Sequence, residues 1–237
     1  MAKKRKQWII AIAGAEGVGK TTVAEMARDI IGEAAITPMA DPLKNFCFKT
    51  LDSLGYEFVE REHFDDHEFK DSEFPEHIPI DDGMIDSFNT IAGIPDDNVD
   101  AKLYRKGLIG KYIFTPRDML LRFGSDYCRN IDADFWVEVW KDTARDWLNM
   151  VDVVIMPDMR FKNEEYSLDK FNKHGCNLLF IQIFKRGVDP EKGYVLQCLG
   201  DADEKDRKLR LIVNNHDGKK KLKKRVKELL KNAGVIK

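Results

Sequence analysis

Residues 14 to 21 read Gly-Ala-Glu-Gly-Val-Gly-Lys-Thr, directly after the apolar run Trp8 to Ala13. No other feature constrains the fold as tightly. The run is too continuously apolar for a half-exposed strand and reads as a buried parallel one, with Gly14 ending it. A helix is expected to follow from about Lys20 to Ile31, with Val23, Met26, Ala27 and Ile30 on one face and Gly32 closing it. A strand, a glycine-rich turn and a helix in that order form a phosphate-binding loop. Successive backbone N–H groups turn inward, and the positive end of the helix faces an anion. In such a loop Lys20 reaches the β- and γ-phosphates of a nucleoside triphosphate, and Thr21 places its hydroxyl on Mg²⁺.

The rest of the chain alternates in the manner of a parallel α/β protein. A short strand is expected near Ala34 to Thr37, then a helix starting at Asp41-Pro42, where Asp suits the cap and Pro the first turn. Residues 55 to 114 carry Pro75, Pro79, Pro95 and an excess of Asp and Glu, and read as an inserted segment with partial helix and mobile loops. Thr115-Pro116-Arg117 starts a helix running to about Asn130. A second helix, from about Asp134 to Asn149, carries Phe135, Val139 and Trp147. Val151 to Met156 reads as a buried strand ending in Pro157-Asp158, Phe161 to His174 as a helix closed by Gly175, and Asn177 to Phe184 as a further strand. Residues 185 to 208 have the polar, mixed-charge character of a lid-like loop. Leu209 to Val213 makes a last strand, and Leu222, Val226, Leu229 and Leu230 stripe a terminal helix. The expected layout is 1–54 for the start of the core, 55–114 for the acidic insertion and 115–237 for the remainder, around a parallel sheet of about five strands.

A chain of 237 residues with 43% apolar content suffices for one sizeable α/β domain with an insertion. The net charge of −2 gives no reason to expect a nucleic-acid partner. Cys47, Cys128, Cys176 and Cys198 lie far apart and read as reduced thiols. No apolar run approaches the ~18 residues of a membrane span, and the apolar run after Lys3-Lys4-Arg5-Lys6 is too short for a signal peptide. The expected compartment is cytoplasmic.

A phosphate-binding loop alone does not select a reaction. The Asn-Lys-x-Asp base-reading motif of a signalling GTPase is absent, and a short chain with one such loop disfavours a transporter ATPase. What remains are residues placed to grip a second phosphate-bearing molecule. Arg117, Arg122 and Arg129 lie on or just after one helix. Asp158 and Arg160 lie at a strand end, where open α/β sheets bind ligands. Phosphoryl transfer needs in-line positioning and positive charge, which arginines supply in bidentate fashion. For Arg122 a plain surface ion pair is as good a reading.

Three stretches carry a resemblance to the deoxynucleoside monophosphate kinases of tailed bacteriophages. They are Ala40-Asp-Pro-Leu-Lys44, the run from Thr115 to Trp136 with Gly124-Ser-Asp126 at its centre, and Pro157-Asp-Met-Arg-Phe-Lys-Asn-Glu164. The likeness continues through Lys185-Arg186 and the Asn-His-Asp-Gly turn at 215 to 218. It implies a three-layer P-loop kinase fold with an inserted acceptor-binding segment, and transfer of the ATP γ-phosphate to a deoxynucleoside 5′-monophosphate. Carried onto this chain, it implies donor binding by Gly14, Ala15, Glu16, Gly17, Val18, Gly19, Lys20, Thr21, Thr22 and Arg186. Lys20, Asp158 and Arg160 would act in catalysis, and Asp41, Lys44, Arg117 and Arg129 would hold the acceptor. Mg²⁺ would sit on Thr21 with Asp158 behind a water. For a phage-encoded chain the compartment would be the host cytoplasm. Leu121 stands where the family usually has Gln, and His216 interrupts its Asn-Asp-Gly turn, so acceptor preference is where this chain departs.

Two further readings stay open. One is a P-loop kinase for dephospho-coenzyme A or a polynucleotide end; the other is a nucleotide-gated binding protein without acceptor chemistry. His63 and His67 have helical spacing but no third metal ligand in view. The lysines at 219 to 231 fit the solvated face of a packed helix. Trp136, Trp140 and Trp147 read as core or interface, which leaves a homodimer open.

Overall fold

The computed structural model describes residues 6–172, 175–189, 207–214 and 218–237. The turn at 215–217, Cys198 and most of the expected lid lie outside these residues. The chain forms two compact units, one from residues Met1–Met39 and Trp140–Lys237, the other from Ala40–Val139. In chain order the first unit opens with β1 (Trp8–Ala13), α1 (Lys20–Ile31) and β2 (Ala34–Ile36). The second contributes α2 (Asp41–Ser53), a 3₁₀ turn (Arg61–Phe64), α3 (His67–Lys70), β3 (Ile78–Pro79) and α4 (Asp82–Ala92). It continues with α5 (Val99–Arg105), β4 (Tyr112–Ile113), α6 (Pro116–Leu121), π-helical turns over Arg122–Cys128 and α7 (Arg129–Ile131). The boundary falls within α8 (Phe135–Leu148). The first unit then resumes with β5 (Val153–Met159), α9 (Lys162–Asn172), β6 (Asn177–Lys185), β7 (Arg207–Asn214) and α10 (Lys219–Ala233).

The first unit is α/β, with a five-stranded sheet in the order β2-β5-β1-β6-β7 and every pairing parallel. All six residues of β1 are buried, as a central strand covered on both faces requires. Trp8, Ile10 and Ile12 pack with Val23, Ala27, Val226 and Leu230 of α1 and α10, while the lysines on either side of Leu222 are exposed. Trp140 is fully buried and its indole N–H donates to the Thr37 carbonyl at 2.8 Å. No helix among the described residues is long and apolar enough to cross a membrane.

Two expectations change here. Pro157 does not end β5, which runs on to Met159. Proline has no N–H for the ladder, so a central strand accommodates it only at an irregularity. The β1–β5 register shifts at this point, from Ala11 opposite Met156 to Ala13 opposite Met159. Nor is 115–130 one continuous α-helix, because π-helical turns interrupt it between α6 and α7. These turns are closely packed within the second unit. A Cβ on Gly124 would lie 2.5 Å from Leu43 Cδ2, and the Gly124 carbonyl accepts the Trp136 indole N–H at 3.0 Å.

The second unit extends on both sides of the expected 55–114 segment and is mostly helical. Its acidic residues have structural uses. Asp66 accepts from the Glu68 N–H at 2.7 Å and Asp81 from the Met84 N–H at 2.9 Å, capping α3 and α4. Others are counter-ions: Arg105 bridges Asp82 and Asp86. His63, considered above as a ligand, accepts the Glu60 N–H on Nδ1 at 3.1 Å.

Trp140→Phe keeps most of the buried bulk but leaves the Thr37 carbonyl without its donor. It should cost about 1–3 kcal/mol, read as a lower urea midpoint for the first unit.

Candidate functional site

Because the sheet is parallel, the carboxyl ends of its strands share one edge. The loop from Gly14 to Gly19 leaves β1 at that edge. Gly14 has φ +147°, and a Cβ there would lie 2.6 Å from the Ile183 carbonyl oxygen of β6, so only glycine fits without moving backbone. Gly19, in the left-handed region at φ 96°, is the N-cap residue of α1 and offers no side-chain cap. The first turn of α1 has no acidic residue. Among the described residues, the N–H groups of Glu16, Gly17, Gly19 and Lys20 have no acceptor. A helix end with uncapped N–H donors is suited to an anion.

Lys20 lies at the start of α1, half-buried, and its ammonium donates to the Gly14 and Ala15 carbonyls at 2.8 and 2.9 Å. Burial holds its pKa below the usual 10.5, and the nearby Arg160 charge adds to this, against the opposing pull of Asp158 and Glu16. The Arg160 charge is thus felt at Lys20. Thr21 is exposed on the first turn of α1, and its hydroxyl bonds no described residue. Val18 is buried and Glu16 exposed. Thr22 is half-buried.

Asp158 sits within the β5 irregularity, half-buried, and its Oδ1 accepts the Met39 N–H at 2.7 Å. That bond fixes the carboxylate at the same edge. Arg160 follows, exposed, with its own N–H donated to Glu164 Oε2 at 2.6 Å. The same Glu164 oxygen takes the Phe161 N–H at 3.0 Å, so a buried carboxylate pins the backbone on which Arg160 stands. Glu164, Met39 and Lys185 were not foreseen as site residues. Lys185, at the end of β6, donates to the Gly17 carbonyl at 3.3 Å, whereas Arg186 after it is exposed. Its strand-end position is a signal the sequence did offer. Glu164's place three residues after Phe161, where helix starts take reciprocal caps, is another.

The geometry also tests the group that Thr21 and Asp158 were expected to hold. Mg²⁺ is usually bound by one or two protein oxygens together with substrate phosphates. The Thr21 hydroxyl beside uncapped N–H groups, with Asp158 held at the same edge, fits that pattern. The described residues contain no cluster of three or more His, Cys, Asp or Glu side chains arranged for a metal.

The acceptor candidates all belong to the second unit, and most are already engaged. Lys44 donates to Asp65 at 2.7 Å and lies 3.6 Å from Asp41. Arg61 reaches the other Asp65 oxygen at 2.6 Å and Asp41 at 3.9 Å. Burial alone would raise Asp65, but hydrogen bonds from Lys44 and Arg61 outweigh it and hold the carboxyl below 3.8. Asp41 is the first residue of α2 rather than its cap, and no side chain caps that helix. Arg117 makes a two-point pair with Asp71, with its second contact at 2.9 Å. Arg129 is half-buried and also has a partner. Leu121 is 52% exposed. The thiols of Cys47, Cys128 and Cys176 are buried and pushed up, Cys176 to about 11, which leaves them poor nucleophiles.

No protein-family model matches this chain, and no curated protein matches it either.

Gly14→Ala should cost roughly 1–3 kcal/mol, since backbone oxygen cannot yield as a side chain can. It should also weaken binding of a non-hydrolysable ATP analogue by more than Gly17→Ala does, where a Cβ meets nothing. Lys20 gives a second test. Its lowered pKa means the folded state binds fewer protons than the unfolded one between that value and 10.5, so stability rises with pH across that window. A bound triphosphate favours the ammonium and reverses this. Analogue binding should therefore take up protons in that window, seen as a buffer-dependent calorimetric enthalpy that disappears in Lys20→Met.

Proposed function

We propose that this chain is an ATP-dependent kinase of the P-loop nucleoside-monophosphate type, acting on deoxynucleoside 5′-monophosphates. The observation that carries the reading is the gathering of uncapped loop N–H groups, Lys20, Asp158 and Arg160 at one sheet edge. The resemblance at Ala40–Lys44, Thr115–Trp136 and Pro157–Glu164 supplies the acceptor class.

In this reading the loop amides and Lys20 bind the donor phosphates. An oxygen of the acceptor monophosphate attacks the γ-phosphorus, and the bond to the β,γ-bridging oxygen breaks, so ADP leaves. Arg160 offsets the charge spread over the moving phosphoryl group, and Glu164 keeps its backbone in place. Mg²⁺, when bound through Thr21 and a water on Asp158, offsets charge on the β- and γ-oxygens. Lys185 adds a cation at the loop that Arg186 was expected to provide. Asp41, Lys44, Arg117 and Arg129 shape the acceptor side, where Lys44 and Arg117 have carboxylate partners that a phosphate must displace or share.

The test is ADP release screened across all ribo- and deoxyribonucleoside monophosphates. Release that depends on a deoxynucleoside monophosphate is the expected result. Release dependent instead on dephospho-coenzyme A or a polynucleotide end moves the function to those acceptors. Acceptor-independent hydrolysis, or binding without turnover, makes the chain a nucleotide-gated binder. Arg160→Ala should lower kcat by ~10³-fold with an unchanged melting temperature, because the side chain is exposed. Near-wild-type turnover in that variant would remove Arg160 from the mechanism.

A further inference from the structure

The arginines of the second unit are not equivalent. Arg61 reaches Asp65 and Asn45, Arg105 reaches Asp82 and Asp86, and Arg117 reaches Asp71. Arg129 has a partner as well. Arg122 makes no hydrogen bond or ion pair with any described residue, and its Nε is buried with no acceptor. The residue as a whole is only half-buried, so the side chain is not sealed in the core. A buried donor left unmade bears its full desolvation cost, and in a native fold such a group calls for a reason.

The backbone around it supplies one. Arg122 is the first residue of the π-helical turns, a conformation uncommon in proteins and frequent at functional sites. The turns are held from two sides, by the Trp136 indole on the Gly124 carbonyl and by Leu43 against the missing Cβ of Gly124. Phe123 and Tyr127 are fully buried, so the segment that carries Arg122 is rigid. An unpaired, partly desolvated guanidinium on a well-packed backbone presents a planar fork suited to a phosphate monoester, which it can bind at two oxygens.

We propose that Arg122, rather than Arg117, grips the phosphate of the monophosphate acceptor. This rests on the kinase reading above for the identity of the ligand. Arg117 already has a two-point carboxylate partner in Asp71, which a phosphate would have to displace or share.

The experiment compares Arg122→Gln, Arg122→Lys and Arg117→Gln with the wild-type chain. KM for a deoxynucleoside monophosphate, affinity for an ATP analogue and melting temperature are read for each. Arg122→Gln should raise KM ~10- to 10²-fold, the loss expected for charge-assisted hydrogen bonds. It should leave analogue affinity unchanged and should not lower the melting temperature, because it removes an unpaired buried donor. Arg122→Lys should recover part of the affinity, and Arg117→Gln should affect KM less. Unchanged KM in Arg122→Gln, or a fall in melting temperature that Arg122→Lys restores without a change in KM, overturns the proposal. Should the wild-type chain release no ADP with any deoxynucleoside monophosphate, the kinase reading fails separately. Arg122 is then judged by calorimetric binding of the monophosphate alone: loss in Arg122→Gln supports the phosphate grip, and equal binding refutes it.

Discussion

β1 lies between β5 and β6 in a parallel ladder that sets Ala13 beside Met159 on one side and Gln182 on the other. The chemistry of the first unit depends on that pairing. It carries the loop off β1 directly beneath the Ile183 carbonyl, and it brings Asp158 and Lys185 to the edge where the loop turns. Both faces of β1 are buried, so a one-residue slip would exchange its two packed faces and is strongly disfavoured. The site is therefore as well defined as the core that supports it.

Within that frame, several groups are held in part by bonds to backbone. Asp158 takes the Met39 N–H, Glu164 takes those of Arg160 and Phe161, and Lys20 donates to two loop carbonyls. Bonds of this kind fix position without cancelling charge. Burial lowers the Lys20 pKa, and repulsion from Arg160 adds to it. An anion entering the loop relieves both the repulsion and the unmade N–H bonds. The second unit follows the opposite rule. Lys44, Arg61, Arg105 and Arg117 are matched with carboxylates there, so part of the acidic excess serves as caps and counter-ions, while Arg122 makes no ion pair with a described residue.

Much of this was legible locally. α1 begins at Lys20 and ends at Ile31 as its apolar spacing indicates, and Thr115 caps α6 through its hydroxyl with Pro116 behind it. The strand after Asn149 was legible in kind but not in extent, because a proline normally stops a strand and the compensating register shift belongs to the β1–β5 pair. The π-helical turns were hidden for a similar reason. The contacts made at them come from Trp136 and Leu43, which reach Gly124 from other elements. Lys185 was within reach of the strand-end rule, yet its neighbour Arg186 drew the assignment.

The sequence by itself determined the strand, the glycine-rich turn and the helix, because those follow from apolar periodicity and from backbone angles only glycine adopts readily. It also determined which side chains could carry charge to a site. Tertiary structure alone decided which of those charges were already matched. Arg117 meets a carboxylate 46 residues away, and Arg122, five residues on, meets none among the described residues. An ion pair is set by where two distant segments come to lie, and no local pattern in the chain records that distance.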